Sequence, residues 1–187
     1  MTIYYAHLNL LDIDPIIGDK NKLMKNYQSL IDNNDLNPKL IDIMDNVGIK
    51  IPRAESFYSK PFYLQQIHTD NLGGDYIKLN YVYSGFNSTM SWYSVKDSQH
   101  KLDIRYTPDL HTEFIHFKYH DVELVDRVKI GARSTLVQVG CPHSITNGNE
   151  YRLCVSLILI DKNTGARLSM SDAVNRLSQY IGQIGAP

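Results

Sequence analysis

From about residue 57 to residue 160 the chain reads as a succession of short extended segments, each closed by a turn. Residues 76–83 alternate apolar and polar side chains, and residues 89–95 follow the turn-like Ser84-Gly85-Phe86-Asn87. Residues 61–68, 114–119, 122–125, 134–139, 143–146 and 150–160 read as further strands, and 102–106 as a short one inside a polar loop over 96–112. A short strand buries only one face, so many of them must pair into sheets that close on each other. The pattern therefore implies a sandwich or barrel.

The flanks carry a helical period instead. Asp14-Pro15 suggests a helix start, and Leu23, Met24, Tyr27, Leu30 and Ile31 fall on one helical face over 22–31, broken by Asn33-Asn34-Asp35. Asn37-Pro38 opens a second helix with Leu40, Ile41, Ile43 and Met44, ending near Gly48. Residues 171–181 form a closing amphipathic helix through Val174, Leu177 and Ile181. The expectation is one domain over 1–187: a helical part over about 1–55, a jelly-roll core over about 57–160 and a C-terminal helix over about 169–182. The fold class is mainly β with flanking helices, an α+β arrangement around a double-sheet jelly roll.

Composition narrows the function. The chain has 187 residues, 43% hydrophobic and 21% charged, with a net charge of −1. That balance disfavours a partner held by phosphate neutralisation, so nucleic acid is not expected. Arg127, Lys129 and Arg133 read as a solvated face. No apolar run is long enough for a membrane span, and the first residues lack a secretory pattern, which points to the cytoplasm. Cys141 and Cys154 read as free thiols. The 13 tyrosines suit half-buried sheet surface or a pocket wall.

Two distant segments carry the candidate chemistry. In a strand, residues i and i+2 share a face, so His68 and Asp70 project together and Thr69 points away. An imidazole and a carboxylate so placed can chelate one ion, with a third ligand from another strand. His143 is the candidate. Asn147-Gly148 is a strong hairpin signal, and taken as a two-residue turn it sets Arg152 directly opposite His143, with Cβ atoms roughly 5 Å apart. That register puts an anion-binding guanidinium beside a neutral ligand. Two histidines and one carboxylate leave metal positions open, as in non-heme Fe(II) oxygenases. The plain alternatives are a satisfied sheet histidine at 143 and an ordinary salt bridge from Arg152 to Glu150 or Asp70.

Other constellations are weaker. His116 and His120 with Asp121 would share a helical face, but 114–119 reads as a strand. His100 and His111 lie in polar, exposed-looking sequence. Cys141-Pro142-His143 lacks a CxxC partner, Gly73-Gly74 lacks the lysine and helix of a phosphate loop, and no Gly-x-Ser-x-Gly elbow is present.

At Gln66-Ile67-His68-Thr69-Asp70, at 77–81 through 90–93, and at Pro142-His143 to Asn147 with Tyr151-Arg152 to Leu157, the chain resembles the Fe(II)/2-oxoglutarate-dependent dioxygenases, and more narrowly their small phage- and marine-bacterium-type members. The likeness covers about residues 60–160. It implies a double-stranded β-helix, Fe(II) held by His68, Asp70 and His143, and 2-oxoglutarate chelating the metal. Arg152, nine residues beyond the distal histidine, looks like the partner of the distal carboxylate. Ser156, Asn80, Trp92 and Tyr93 are candidates to assist it. The partners implied are 2-oxoglutarate, O2 and an organic substrate, with the 96–112 loop either a cover or plain surface. The rival readings are a non-oxidative metal-binding cupin-like protein and a structural or interaction jelly roll.

Overall fold

In a computed structural model of the chain, residues 2–10, 13–96, 102–108, 112–132 and 134–184 are described. His100, His111, Arg133 and residues 97–101 and 109–111 of the 96–112 loop therefore lie outside the described residues. The strands are β1 (Tyr5–Leu8), β2 (Gln28–Ile31), β3 (Ile49–Ser59), β4 (His68–Asp70), β5 (Ile77–Ser84), β6 (Thr89–Val95), β7 (Asp103–Thr107), β8 (Thr112–His116), β9 (Val122–Lys129), β10 (Ser134–Gln138), β11 (His143–Thr146), β12 (Arg152–Asp161) and β13 (Ile181–Ile184). Among the described residues the α-helices are α1 (Pro38–Asn46) and α2 (Met170–Arg176), with short 3₁₀ turns between elements.

The strand β12 explains the layering. Every residue from Arg152 to Leu159 is buried, which requires cover on both faces. Leu153, Val155, Leu157 and Leu159 join the cluster that includes Leu40 and Met44 of α1 and Met170, Ala173 and Leu177 near α2. The alternate residues Arg152, Cys154, Ser156 and Ile158 line a cavity on the other face. Its neighbours β5 and β3 complete the centre of a seven-stranded antiparallel sheet ordered β13-β1-β10-β5-β12-β3-β2.

A six-stranded antiparallel sheet ordered β7-β8-β4-β11-β6-β9 packs over the cavity face. Met90, Trp92 and Ile145 from this sheet meet Val82, Val137 and Cys154 from the other. The chain changes sheet between β3 and β4, β4 and β5, β5 and β6, β9 and β10, β10 and β11, and β11 and β12. That alternation is the double-stranded β-helix form of a jelly roll, and the fold is mainly β with flanking helices, as the strand pattern implied.

The helix α1 starts where expected, with Pro38 at its first turn and Asn37 Oδ1 accepting the Lys39 amide at 3.0 Å. Gly48, at φ 72°, supplies the left-handed residue just past its end. The other helical expectations are corrected. Residues 22–31 form a 3₁₀ turn over Lys20–Met24 and then the edge strand β2. Their apolar spacing is not a buried face: Leu30 is 54% exposed, and the backbone pairs with β3 instead. Ile16, after Asp14-Pro15, bridges Leu36 and starts no helix. The part over 1–55 is mixed, with α1 and two 3₁₀ turns beside β1, β2 and the start of β3. α2 ends at Arg176, and after a 3₁₀ turn Ile181–Ile184 pairs with β1. In the expected strand over 61–68, Pro61-Phe62 turns, with Phe62 at φ 56°, and only His68–Asp70 forms a ladder.

Leu157 sits between Ala54 and Leu79 in the register, and all three are fully buried. Leu157→Ala is expected to cost about 3 kcal/mol of stability through lost transfer energy and a residual cavity, measured by urea unfolding.

Candidate metal centre

The short strand β4 lies between β8 and β11, with His68 directly opposite both His116 and His143. Directly opposed residues share a face, so His68 and His143 point into the cavity together, and Asp70 follows two residues on. The ring centroids are 4.5 Å apart. Asp70 Oδ1 lies 3.4 Å from His68 Nε2 and 3.9 Å from His143 Nε2. One donor atom from each residue falls within 4.8 Å of the other two, so the set can hold a metal ion.

The rings are oriented by the backbone two residues earlier. His68 Nδ1 is 2.8 Å from the Gln66 carbonyl and His143 Nδ1 is 3.0 Å from the Cys141 carbonyl. A carbonyl only accepts, so each Nδ1 carries the hydrogen and donates. Each Nε2 then presents a lone pair toward Asp70 Oδ1. Three electron-pair donors facing one another repel unless a cation sits among them, and the preset tautomers suit a metal.

The carboxylate of Asp70 is held from the opposite sheet. Lys78 Nζ on β5 is 2.7 Å from Asp70 Oδ2 and 2.9 Å from Glu55 Oε2 on β3. Glu55 is 1% exposed, and its other oxygen is 2.8 Å from Arg53 Nε. Burial alone would push the Asp70 carboxyl up, but the Lys78 ammonium beside it holds it well below the usual carboxylate range. Burial likewise opposes the charge on Lys78, and Asp70 and Glu55 outweigh it, raising Lys78 above an ordinary lysine. Burial, with the His68 ring beside it, pushes His143 down to about 4. Lys78 and Glu55 were not singled out in the sequence, where a lone lysine in a strand reads as solvent-facing.

The triad opens into a cavity of about 400 Å³ between the sheets. Arg152 lines the same cavity from the start of β12. It is 5% exposed, its Nε has no hydrogen-bond partner, and no carboxylate pairs with it among the described residues. Gly85, at φ 73°, allows a close backbone approach to Arg152, since a Cβ there would come within 2.8 Å of the Arg152 Cα. Ser156 and Asn80 also line the cavity, joined by a hydrogen bond of 2.5 Å from Ser156 Oγ to Asn80 Oδ1.

The hairpin expected at Asn147-Gly148 is not formed. β11 and β12 belong to different sheets, and neither residue takes the positive φ that a type I′ turn needs. The Asn147 side chain is instead spent on Ser59 Oγ at 2.8 Å and the Lys60 carbonyl at 2.7 Å. His143 and Arg152 thus reach one cavity from opposite walls, not as a cross-strand pair. Trp92 is fully buried in the inter-sheet core, with Nε1 donating to the Gln138 carbonyl at 2.7 Å. Tyr93 packs in the separate cluster with Ile67 and Ile115, its hydroxyl 3.1 Å from Ser144 Oγ. Neither is brought to the cavity wall. His116 ends β8 with Nδ1 on Asp103 at 2.9 Å, while His120 is exposed in a 3₁₀ turn, so these two histidines do not converge.

No protein-family model matches the chain, and no curated protein matches its sequence. Among solved structures it is similar to apo HygX from Streptomyces hygroscopicus, at 10% identity and TM-score 0.42 over 79% of this chain and 77% of that one. It is also similar to E. coli ycfD, at 15% identity and TM-score 0.38 over 62% of this chain and 27% of that one. Oxalate decarboxylase from Bacillus subtilis matches at 13% identity and TM-score 0.30, over 66% of this chain and 24% of that one. The chain spans about a quarter of the length of the last two. The fold assignment stands on the strand order itself: a cupin-type jelly roll with a His–Asp–His set able to hold a metal.

His143 makes the metal-free protein acid-sensitive. The unfolded chain binds a proton there near the ordinary 6.5, the folded chain only near 4. This contribution to stability is complete above pH 6.5 and is lost as pH falls toward 4. Between pH 7 and pH 4 the wild type should lose about 3 kcal/mol more stability than His143→Gln, read by urea unfolding at each pH.

Proposed function

We propose that the protein is an Fe(II)- and 2-oxoglutarate-dependent dioxygenase that hydroxylates an organic substrate. The observation that carries this reading is Arg152, a buried guanidinium without an acidic partner among the described residues, in the same cavity as the triad. A buried cation left unpaired is costly, and an anionic ligand relieves it. A dicarboxylate with one end on a metal and the other on an arginine fork meets both needs.

In this reading His68, Asp70 and His143 hold the iron by two Nε2 atoms and one carboxylate oxygen. Bound iron supplies the oxidising chemistry: one O2 and one 2-oxoglutarate convert a substrate C–H to C–OH, with release of succinate and CO2. The chain's own work is placement. The Gln66 and Cys141 carbonyls keep both rings in the metal-binding tautomer, Arg152 anchors the distal carboxylate, and the Ser156–Asn80 pair offers polar contact along the cavity wall. The organic substrate takes the remaining cavity.

A thermal-shift series tests this. Mn(II) with 2-oxoglutarate should raise the melting temperature more than Mn(II) alone. A shift with metal and none added by 2-oxoglutarate would indicate a non-oxidative metal-binding jelly roll instead. Asp70→Ala and His68→Ala should abolish the metal response. Arg152→Met should keep it and weaken 2-oxoglutarate binding roughly 10- to 100-fold, the worth of a charge-assisted pair.

A further inference from the structure

We propose that Lys78 is a positioning residue for the metal centre: by capping Asp70 Oδ2 it limits the carboxylate to one metal bond, so that three coordination positions stay open. The inference rests on the proposed function for the use of those positions, but not for the metal bond itself.

The reasoning begins with a count. A facial set of two imidazoles and one carboxylate oxygen fills half of an octahedron, leaving room for a bidentate keto acid and one more molecule. A carboxylate can also chelate through both oxygens. Then the protein fills four positions, the keto acid fills the rest, and O2 has none. Something must keep the second oxygen away from the ion.

The geometry points to Lys78. Its ammonium is 2.7 Å from Asp70 Oδ2, while Oδ1 is the oxygen that faces both Nε2 atoms. The restraint comes from the facing wall of the sandwich, so β4 cannot carry it along when it shifts. It is also braced: Glu55 Oε2 holds the same ammonium at 2.9 Å, and Arg53 holds Glu55 Oε1 at 2.8 Å. The Lys78 ammonium also lies 5.6 Å from the centre of the Phe57 ring. A chain of buried charges is an expensive way to stabilise a core, since apolar residues of the same volume do at least as well. Its placement on the oxygen turned away from the histidines gives it a use at the metal.

The test reads the carboxylate directly. Zn(II)-loaded minus metal-free infrared difference spectra, with ¹³C-carboxyl-labelled aspartate, report the separation of the antisymmetric and symmetric stretches. That separation is wide for a carboxylate bound through one oxygen and narrow for one that chelates. It should be wide in the wild type and in Lys78→Arg, and narrow in Lys78→Met. The double variant Glu55→Gln/Lys78→Met, which also removes the Glu55 charge that Lys78 held, should also be narrow and serves if the single variant fails to fold. In the same variants, 2-oxoglutarate affinity of the Mn(II)-loaded protein should fall roughly tenfold or more, the usual cost of removing a ligand-orienting group, with Mn(II) affinity no weaker. An unchanged separation between wild type and both Met-containing variants overturns the proposal. A separation that narrows as expected in a protein that binds no 2-oxoglutarate in any form upholds the role of Lys78 and removes the dioxygenase reading.

Discussion

An ammonium and a carboxylate 2.7 Å apart, bridging two sheets across a cavity wall, set the terms for the rest of this site. Each ion taken out of water costs several kcal/mol, and only close, fully bonded geometry offsets that cost. Lys78 and Asp70 meet the condition by recruiting Glu55 and Arg53, so three charges on two strands of one sheet and one charge on the other become a single neutral unit. Because the partners stand on facing sheets, the unit also locks the two sheets together where the imidazoles converge.

The division of labour follows from how the chain winds. Successive strands cross from one sheet to the other, so residues close in sequence face each other across the gap. β4 and β11 are neighbours in one sheet and bring His68, Asp70 and His143 together. β12 is central in the other and carries Arg152, with its leucines on one side serving the helices and its polar residues on the other serving the cavity. A strand so used has no solvent face, and its unbroken burial is the mark of that double duty.

Much of this was legible along the chain, though not all by the right route. The two-residue period of a strand suffices to put His68 and Asp70 on one face, and β6 and β11 were bounded correctly by their turns. Arg152 was expected directly opposite His143 across a hairpin that does not form; it lines the same cavity from the other sheet, and Asn147 spends its amide on Ser59 and Lys60. β3 was hidden by Pro52 and by Arg53 and Glu55, charges that resemble a solvent face until the partner Lys78 is known. β2 and β13 were hidden because tertiary pairing at a sheet edge overrode a helical spacing. The tautomers of both rings, set by carbonyls at Gln66 and Cys141, depend on backbone geometry that no residue pattern announces.

Placing the triad on one sheet and the guanidinium on the other turns the gap between them into a caliper. Face-to-face sheets stand about 10 Å apart, and the close approach of Gly85 to the arginine backbone leaves no room for a Cβ between them. A two-ended acid that is too short leaves one jaw empty, and one that is too long cannot close on both. Under the proposed function, such a cleft selects its acid by chain length more than by any single contact.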